Sequence, residues 1–228
     1  MTRAVIFDID GTLIDSVDLH AEAWRQALGH FGYDVPFAEM RRQIGKGGDQ
    51  LLPVFVPREV LERREEEISA FRSDLFKRDY LPKVRPFAAV PDLFRRVREA
   101  GLKTVLASSG KAEEVAEYVR IAGIEGLFDE MVSADDAARS KPAGDIFAAA
   151  LAAVAPLGPT EAVVIGDTAW DVIAANAVGL ATVAVRCGGF AEAELRQAGA
   201  VALVQGPAEL LVRFDETPLS PAWVPPRR

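Results

Sequence analysis

The stretch Val5-Ile6-Phe7-Asp8-Ile9-Asp10-Gly11-Thr12-Leu13-Ile14-Asp15 decides how this chain is read. An apolar run leads straight into two aspartates one residue apart, followed by Gly-Thr and more apolar residues. Val5–Phe7 suit a strand covered on both faces. A carboxylate at the mouth of such a strand is costly unless some chemistry requires it there.

Working outward, two regimes appear. From about Ser16 to Lys83 the pattern is helical. Leu19, Ala23, Ala27 and Phe31 mark one helix, which also carries Trp24. Leu61, Ile68 and Leu75 recur every seven residues, with Phe71 on the same face, and mark another. The glycine-rich Ile44-Gly45-Lys46-Gly47-Gly48-Asp49 reads as a turn or loop between them. From about Pro86 onward, helices alternate with the apolar runs Thr104–Ala107, Met131–Val132, Ala162–Ile165 and Thr182–Val185. That alternation predicts an α/β fold, a doubly wound parallel, Rossmann-like sheet. A helical block of this length cannot be a loop of the sheet, so residues 16–83 are expected to form an inserted helical cap domain. Residues 1–15 and 84–216 would form the core. The proline-rich 217–228 is expected to be extended or disordered.

Composition narrows the function. Half of the 228 residues are hydrophobic, 26% are charged, and the formal net charge is -8. An acidic chain is a poor electrostatic binder of nucleic acid or anionic membranes. No apolar run approaches the roughly 18 residues that a membrane span needs. Asp8 and Asp10 interrupt the apolar stretch near the N-terminus, so no signal peptide is expected there. The single Cys187 excludes an internal disulfide framework and fits a reducing compartment. The expectation is a cytoplasmic protein, monomeric or weakly dimeric, acting on a small metabolite.

Parallel sheets bind ligands beyond the carboxyl ends of their strands. There the chain places Asp8 and Asp10, then Ser108-Ser109-Gly110, then Gly166-Asp167-Thr168-Ala169-Trp170-Asp171, with Ser140-Lys141-Pro142 expected near the start of the strand at 162. Clustered carboxylates repel one another unless a cation lies among them, and an all-oxygen donor set selects a hard one such as Mg²⁺. An aspartate can attack phosphorus and divide one hard step into two. Asp8 would be that nucleophile. Asp10, expected to point the same way, would protonate the leaving oxygen and later activate water. Gly11 permits the tight turn, the Thr12 hydroxyl braces the loop, and Lys141 supplies a point charge for the phosphoryl group. Asp167 and Asp171 complete the metal site. Ser108 reads as a phosphate ligand, with a helix N-cap as the competing role. Asp171 has a similar competing role as an acidic residue at a helix start.

Asp8-Ile9-Asp10-Gly11-Thr12 resembles the DxDGT motif of the haloacid dehalogenase (HAD) superfamily. Ser108, Lys141 and Gly166–Asp171 resemble its second, third and fourth motifs, in order and after the expected strands. The helical block sits where that family's type-1 cap does, in the phosphoglycolate phosphatase and β-phosphoglucomutase-like branch. The resemblance implies that the metal also takes the Asp10 backbone carbonyl and that the Ser109 backbone N–H helps bind phosphate. It further implies that His20, in Asp15–Trp24, lies near the active site as in β-phosphoglucomutase-type members.

Asp10 separates the chemistries within that family. The 2-haloacid dehalogenases and phosphonoacetaldehyde hydrolases lack this aspartate. What remains is a Mg²⁺-dependent phosphatase of a small phosphomonoester, of the phosphoglycolate or sugar-phosphate class, with a phosphomutase as the alternative. Where the mutase-like members carry an arginine for a second phosphate, this chain reads Gly45-Lys46-Gly47-Gly48-Asp49, which weakens the mutase reading. A catalytically silent binding protein is disfavoured because every motif residue is present. His20, Lys46 and Arg72 are candidate specificity residues, although solvated charge is the simpler reading of Lys46 and Arg72. Trp24, Phe71 and Phe76 read as core of the insertion, and Asp15 and Asp135 as peripheral.

Overall fold

The computed structural model describes residues 1–220 and Trp223. Its centre is a six-stranded, all-parallel sheet. Among the described residues, eight strands occur in chain order: β1 (Ala4–Phe7), β2 (Ile14–Asp15), β3 (Arg85–Pro86), β4 (Lys103–Ala107), β5 (Glu130–Val132), β6 (Ala162–Gly166), β7 (Ala181–Val185) and β8 (Ala202–Val204). The main sheet runs β5-β4-β1-β6-β7-β8. Ten α-helices accompany them among the described residues: α1 (Val17–His30), α2 (Phe37–Arg41), α3 (Gly48–Phe55), α4 (Arg58–Leu75), α5 (Val90–Glu99), α6 (Ala112–Ala122), α7 (Asp145–Ala153), α8 (Ala169–Ala177), α9 (Glu192–Ala198) and α10 (Pro207–Val212).

Alternation along β1 shows why its residues are uniformly apolar. Val5 and Phe7 pack with Leu93, Phe94 and Val97 of α5 and with Val115 and Tyr118 of α6. Ala4 and Ile6 face the other layer, against Ile146, Phe147 and Ala150 of α7 and Ala174 of α8. Successive side chains point to opposite faces, and each face has its own helical cover. Phe7 pairs with Leu106 on one side and Ile165 on the other. The residues leaving β1, β4 and β6 therefore emerge side by side, where the chain switches from one half of the sheet to the other.

Helices α1–α4 lie between β2 and β3 and share an apolar cluster that includes Trp24, Leu28, Met40, Leu51, Leu61 and Ile68. The seven-residue repeat of α4 reads correctly, since Leu61, Ile68 and Leu75 are its buried residues. Several features differ from expectation. β2 and β3 pair antiparallel at the neck of the insertion, although two residues each are too few for a periodic signal. The edge strand β8 and helices α9 and α10 were likewise not anticipated from sequence. Thr217–Ser220, expected in an extended or disordered tail, is packed instead: Thr217, Leu219 and Ser220 are buried, and the Thr2 hydroxyl donates to Pro218 O at 2.5 Å. The apolar Leu219 joins the core beside α5 and α10. The remainder of that expectation, Pro221, Ala222 and Val224–Arg228, lies outside the described residues. Among the described residues, no helix is long and apolar enough to cross a membrane.

Candidate active site

Asp8 follows β1 directly, and its backbone N–H donates to Ile165 O at 2.9 Å. The Asp8 carboxylate pairs with the Lys141 ammonium, which also stands 2.6 Å from Asp171 Oδ1. Lys141 lies on the loop between β5 and α7 rather than at the start of β6, and is 1% exposed. Burial alone would lower its pKa, but Asp171 and Asp8 outweigh that and hold it charged, above the ordinary ammonium value.

Asp167, fully buried, completes the group. One carboxylate oxygen from each of Asp8, Asp167 and Asp171 lies within 4.8 Å of the others. The Thr12 hydroxyl sits between Asp8 Oδ2 and Asp167 Oδ1, 3.2 Å from each. It has one proton, so it donates to only one of them at a time. Asp167 Oδ2 is buried and makes no hydrogen bond. Burial, opposed by Lys141 and reinforced by Asp171, pushes the Asp8 carboxyl up to about 7. Burial and the charges of Asp171 and Asp8 push Asp167 well above the carboxylate range. Three carboxylates share one ammonium, and one oxygen lacks any donor. A hard divalent cation fits that donor set.

Two glycines make room for this group. Gly11, at φ +76°, is in the left-handed region, and a Cβ there would lie 2.3 Å from Asp167 Oδ2. On Gly188, just beyond β7, it would lie 1.6 Å from the same oxygen. Gly188 was not singled out from sequence, because its reason is a contact with a residue 21 positions away.

Asp171 takes the helix-start role weighed for it. Its Oδ2 accepts from Thr168 N–H at 3.0 Å and from the Thr168 hydroxyl at 2.6 Å, closing a capping box at the start of α8. Its Oδ1 faces Lys141. Ser108 is not an N-cap, since Lys111 occupies that position before α6. The Ser108 hydroxyl is buried and accepts from Gly110 N–H at 3.0 Å. The Ser109 hydroxyl is buried without a partner.

The Asp10 side chain departs from expectation. It does not join the Asp8 group. Its Oδ1 accepts from the Ser16 hydroxyl at 2.6 Å and meets His20 Nε2 at 2.8 Å. The chain has left strand register by then: Gly11 N–H bonds Ile14 O at 2.9 Å, so the two-residue spacing no longer implies a shared direction. Only the Asp10 backbone is left for the metal role that the motif implies. Burial would raise the Asp10 carboxyl, but His20, Ser16 and Arg72 outweigh it and hold the group below the usual range.

His20 is buried, stacks on Phe76 at 4.1 Å, and approaches the Tyr118 hydroxyl at 3.2 Å. Its Nδ1 faces the Arg72 guanidinium. Solvated charge is thus the wrong reading of Arg72, which comes from α4 and ion-pairs with Glu114 of α6 at 3.5 Å. Lys46 does not reach the carboxylates. Its ammonium bonds Gln43 Oε1 at 2.6 Å and lies 4.0 Å above the Trp170 ring. Trp24 is buried in the insertion's own cluster, whereas Phe76, with Phe71 packed beside it, joins the main core of the sheet rather than that of the insertion, and Asp135 accepts from the Ala112 N–H at 3.3 Å. Glu114 and Tyr118 were missed because their places depend on contacts between the insertion and the sheet domain's helices, and Ser16 because its bond to Asp10 depends on the turn after β1.

A doubly wound, Rossmann-like sheet with a helical insertion and this strand-end cluster defines a hydrolase whose site lies at the strand ends. Residues 2–179 match the family model of haloacid dehalogenase-like hydrolases, and the chain belongs to that family. It is similar to the tyrosine-protein kinase PtkA of Mycobacterium tuberculosis, 35% identical over 187 residues, 82% of this chain and 62% of that one. The chain thus spans less than two thirds of that relative's length. It is 30% identical over 215 residues to a phosphorylated carbohydrates phosphatase of Thermotoga maritima, covering 92% of this chain and 96% of that protein. The crystal structure of a hydrolase from Pseudomonas syringae superposes with a TM-score of 0.85 at 27% identity, covering 94% and 99% of the two chains.

Proposed function

We propose that the protein is a Mg²⁺-dependent phosphatase that hydrolyses a small phosphomonoester, of the phosphoglycolate or sugar-phosphate class, through an aspartyl-phosphate. The observation that carries this is Lys141 held between Asp8 and Asp171 beside the unpartnered Asp167 oxygen. The Thermotoga relative's phosphatase activity on phosphorylated carbohydrates supports the same reading. We assign the protein to the cytoplasm, with residues 16–83 as a cap over a core of residues 1–15 and 84–216.

Asp8, Asp167, Asp171 and the Asp10 backbone would hold Mg²⁺, which when bound would neutralise the phosphate charge. Lys141 supplies the second positive charge, and Ser108 with the Ser109 N–H holds phosphate oxygens. Asp8 Oδ attacks phosphorus, forming the O–P bond as the bond to the leaving oxygen breaks. Asp10 gives that oxygen a proton. In the second half Asp10 takes a proton from water, water oxygen bonds to phosphorus, and Asp8 leaves with its electron pair, releasing phosphate. Asp10 is held ionised before substrate arrives, and a phosphate dianion beside it favours uptake of the proton it then delivers. The Asp49 carboxylate accepts from the Ser140 N–H at 3.1 Å and from the Ser140 hydroxyl, so the loop expected to anchor a second phosphate presents an acid tied to the core. That favours phosphatase over mutase.

The test is phosphate release from a panel of phosphomonoesters with Mg²⁺ and with EDTA. Release that vanishes on chelation and returns with Mg²⁺ is expected. Full turnover without metal would refute the assignment.

A further inference from the structure

Next to Asp10, the reaction steps leave one buried ion pair unused. Arg72 Nη1 and Glu114 Oε1 lie 3.5 Å apart, with side chains 12% and 10% exposed. Arg72 also faces His20 Nδ1, whose other ring nitrogen meets Asp10. A Cβ placed on Gly110 would lie 3.5 Å from Glu114 Oε2 and 3.3 Å from Ser108 Oγ, so the Glu114 carboxylate stands over the proposed phosphate loop. The pair therefore flanks the region between the phosphate and the proton donor, where the leaving group belongs.

Charge accounting around that region disfavours an acidic leaving group. Lys141 is committed to Asp8 and Asp171, Arg72 to Glu114, Lys46 to Gln43 and Trp170, and Arg41 to Asp18 and Gly188 O. A second anion would meet Glu114, Asp10 and Asp49, and of these four cations Lys46 alone faces no acid. Glu114 Oε1 is turned to Arg72, and Glu114 Oε2 faces the phosphate loop as an acceptor. A hydroxyl donates to such an acceptor without adding charge, whereas a carboxylate has no proton to give it.

We propose that Arg72 and Glu114 form the specificity pair of this site and select a phosphomonoester whose leaving group is uncharged and hydroxylated, over one bearing a carboxylate. This rests on the phosphatase reading. The test measures kcat/KM of the full chain with Mg²⁺ on glucose 6-phosphate, phosphoglycolate and p-nitrophenyl phosphate. Wild type should favour glucose 6-phosphate over phosphoglycolate by about tenfold or more. Glu114→Gln frees the guanidinium for a carboxylate, so the phosphoglycolate to glucose 6-phosphate ratio should rise by about tenfold or more, mainly through KM. The ratio cancels any general loss of activity. Wild-type preference for phosphoglycolate, or a ratio unmoved by Glu114→Gln, overturns the proposal. Should Glu114→Gln fail to fold, Arg72→Lys keeps the charge and loses the planar fork. An unchanged KM for glucose 6-phosphate in that variant overturns the proposal as well. No turnover of any ester, p-nitrophenyl phosphate included, would sink the phosphatase reading and this inference with it. Turnover with the wrong substrate order sinks this inference alone.

Discussion

The two aspartates of the opening motif have different neighbours, and different work follows from that. Asp8 faces Lys141 and the acidic pair, whereas Asp10 faces Ser16 and His20. Asp8→Asn should abolish turnover and leave no phosphoenzyme. Asp10→Asn removes only proton transfer, typically worth about 10²–10⁴-fold. Its transfer step should fall far more for an alkyl ester than for p-nitrophenyl phosphate, whose leaving group needs little protonation. Rapid-quench burst kinetics on both variants measures this. Equal loss on the two esters, or a phosphoenzyme in Asp8→Asn, contradicts the division of roles. Gly188 supports the same centre sterically. Gly188→Ala places a methyl where Asp167 Oδ2 now sits, so Asp167 must move. Displacing a supporting group typically costs about 10–100-fold in metal affinity, which calorimetric titration with Mg²⁺ would detect. Unchanged affinity would mean that Asp167 is not a ligand.

At the scale of elements, the long apolar runs were legible and the short pieces were not. β1, β4, β6 and β7 are continuous buried strands that announce themselves in the sequence. β2 and β3 have two residues each, and β8 lies at the sheet edge with three, where no period can be counted. Asp8, Ser108 and Asp167 were legible for a related reason: each follows its strand directly, so placing the strand places the residue, whereas Lys141 stands on the loop between β5 and α7. Arg72 and Glu114 lie 42 positions apart on helices of different layers, and only packing of the insertion against the sheet's helices joins them. Asp10 was misdirected because the alternation rule was carried past the end of β1. One element carries strain that sequence did not suggest. Ala89, the N-cap of α5, has φ 64°, in the left-handed region. A Cβ there costs roughly 1–2 kcal/mol, against about 0.5–1 kcal/mol of extra chain entropy lost on ordering glycine. The strain is the larger. Ala89→Gly should therefore stabilise by about 0.5 kcal/mol, seen as a higher urea midpoint at constant slope. A lower midpoint would show that the turn is not strained.

For the whole molecule, the site is a cost that folding must carry. Asp8, Asp167 and Asp171 are buried around a single lysine, which leaves two uncompensated acids or the protons needed to neutralise them. The sheet holds them together because β1 and β6 end side by side at the switch point, so the unfolded chain has no equivalent site. A cation that binds only the folded chain stabilises it by RT ln(1 + [L]/Kd), about 2.7 kcal/mol at a hundredfold excess over Kd. For a chain of this size that corresponds to a rise in Tm of roughly 5–10 °C. Thermal unfolding in Mg²⁺ and in EDTA, followed by circular dichroism, reads this without any substrate. Asp167→Asn gives the opposite-signed control. It removes one buried acid, so in EDTA the variant should melt above wild type, while its gain from Mg²⁺ should shrink to little or nothing. If wild type melts at the same temperature with and without Mg²⁺, no cation is held by this cluster. If Asp167→Asn melts below wild type in EDTA, the cluster is not strained by its own charge, and the fit of a cation to it fails.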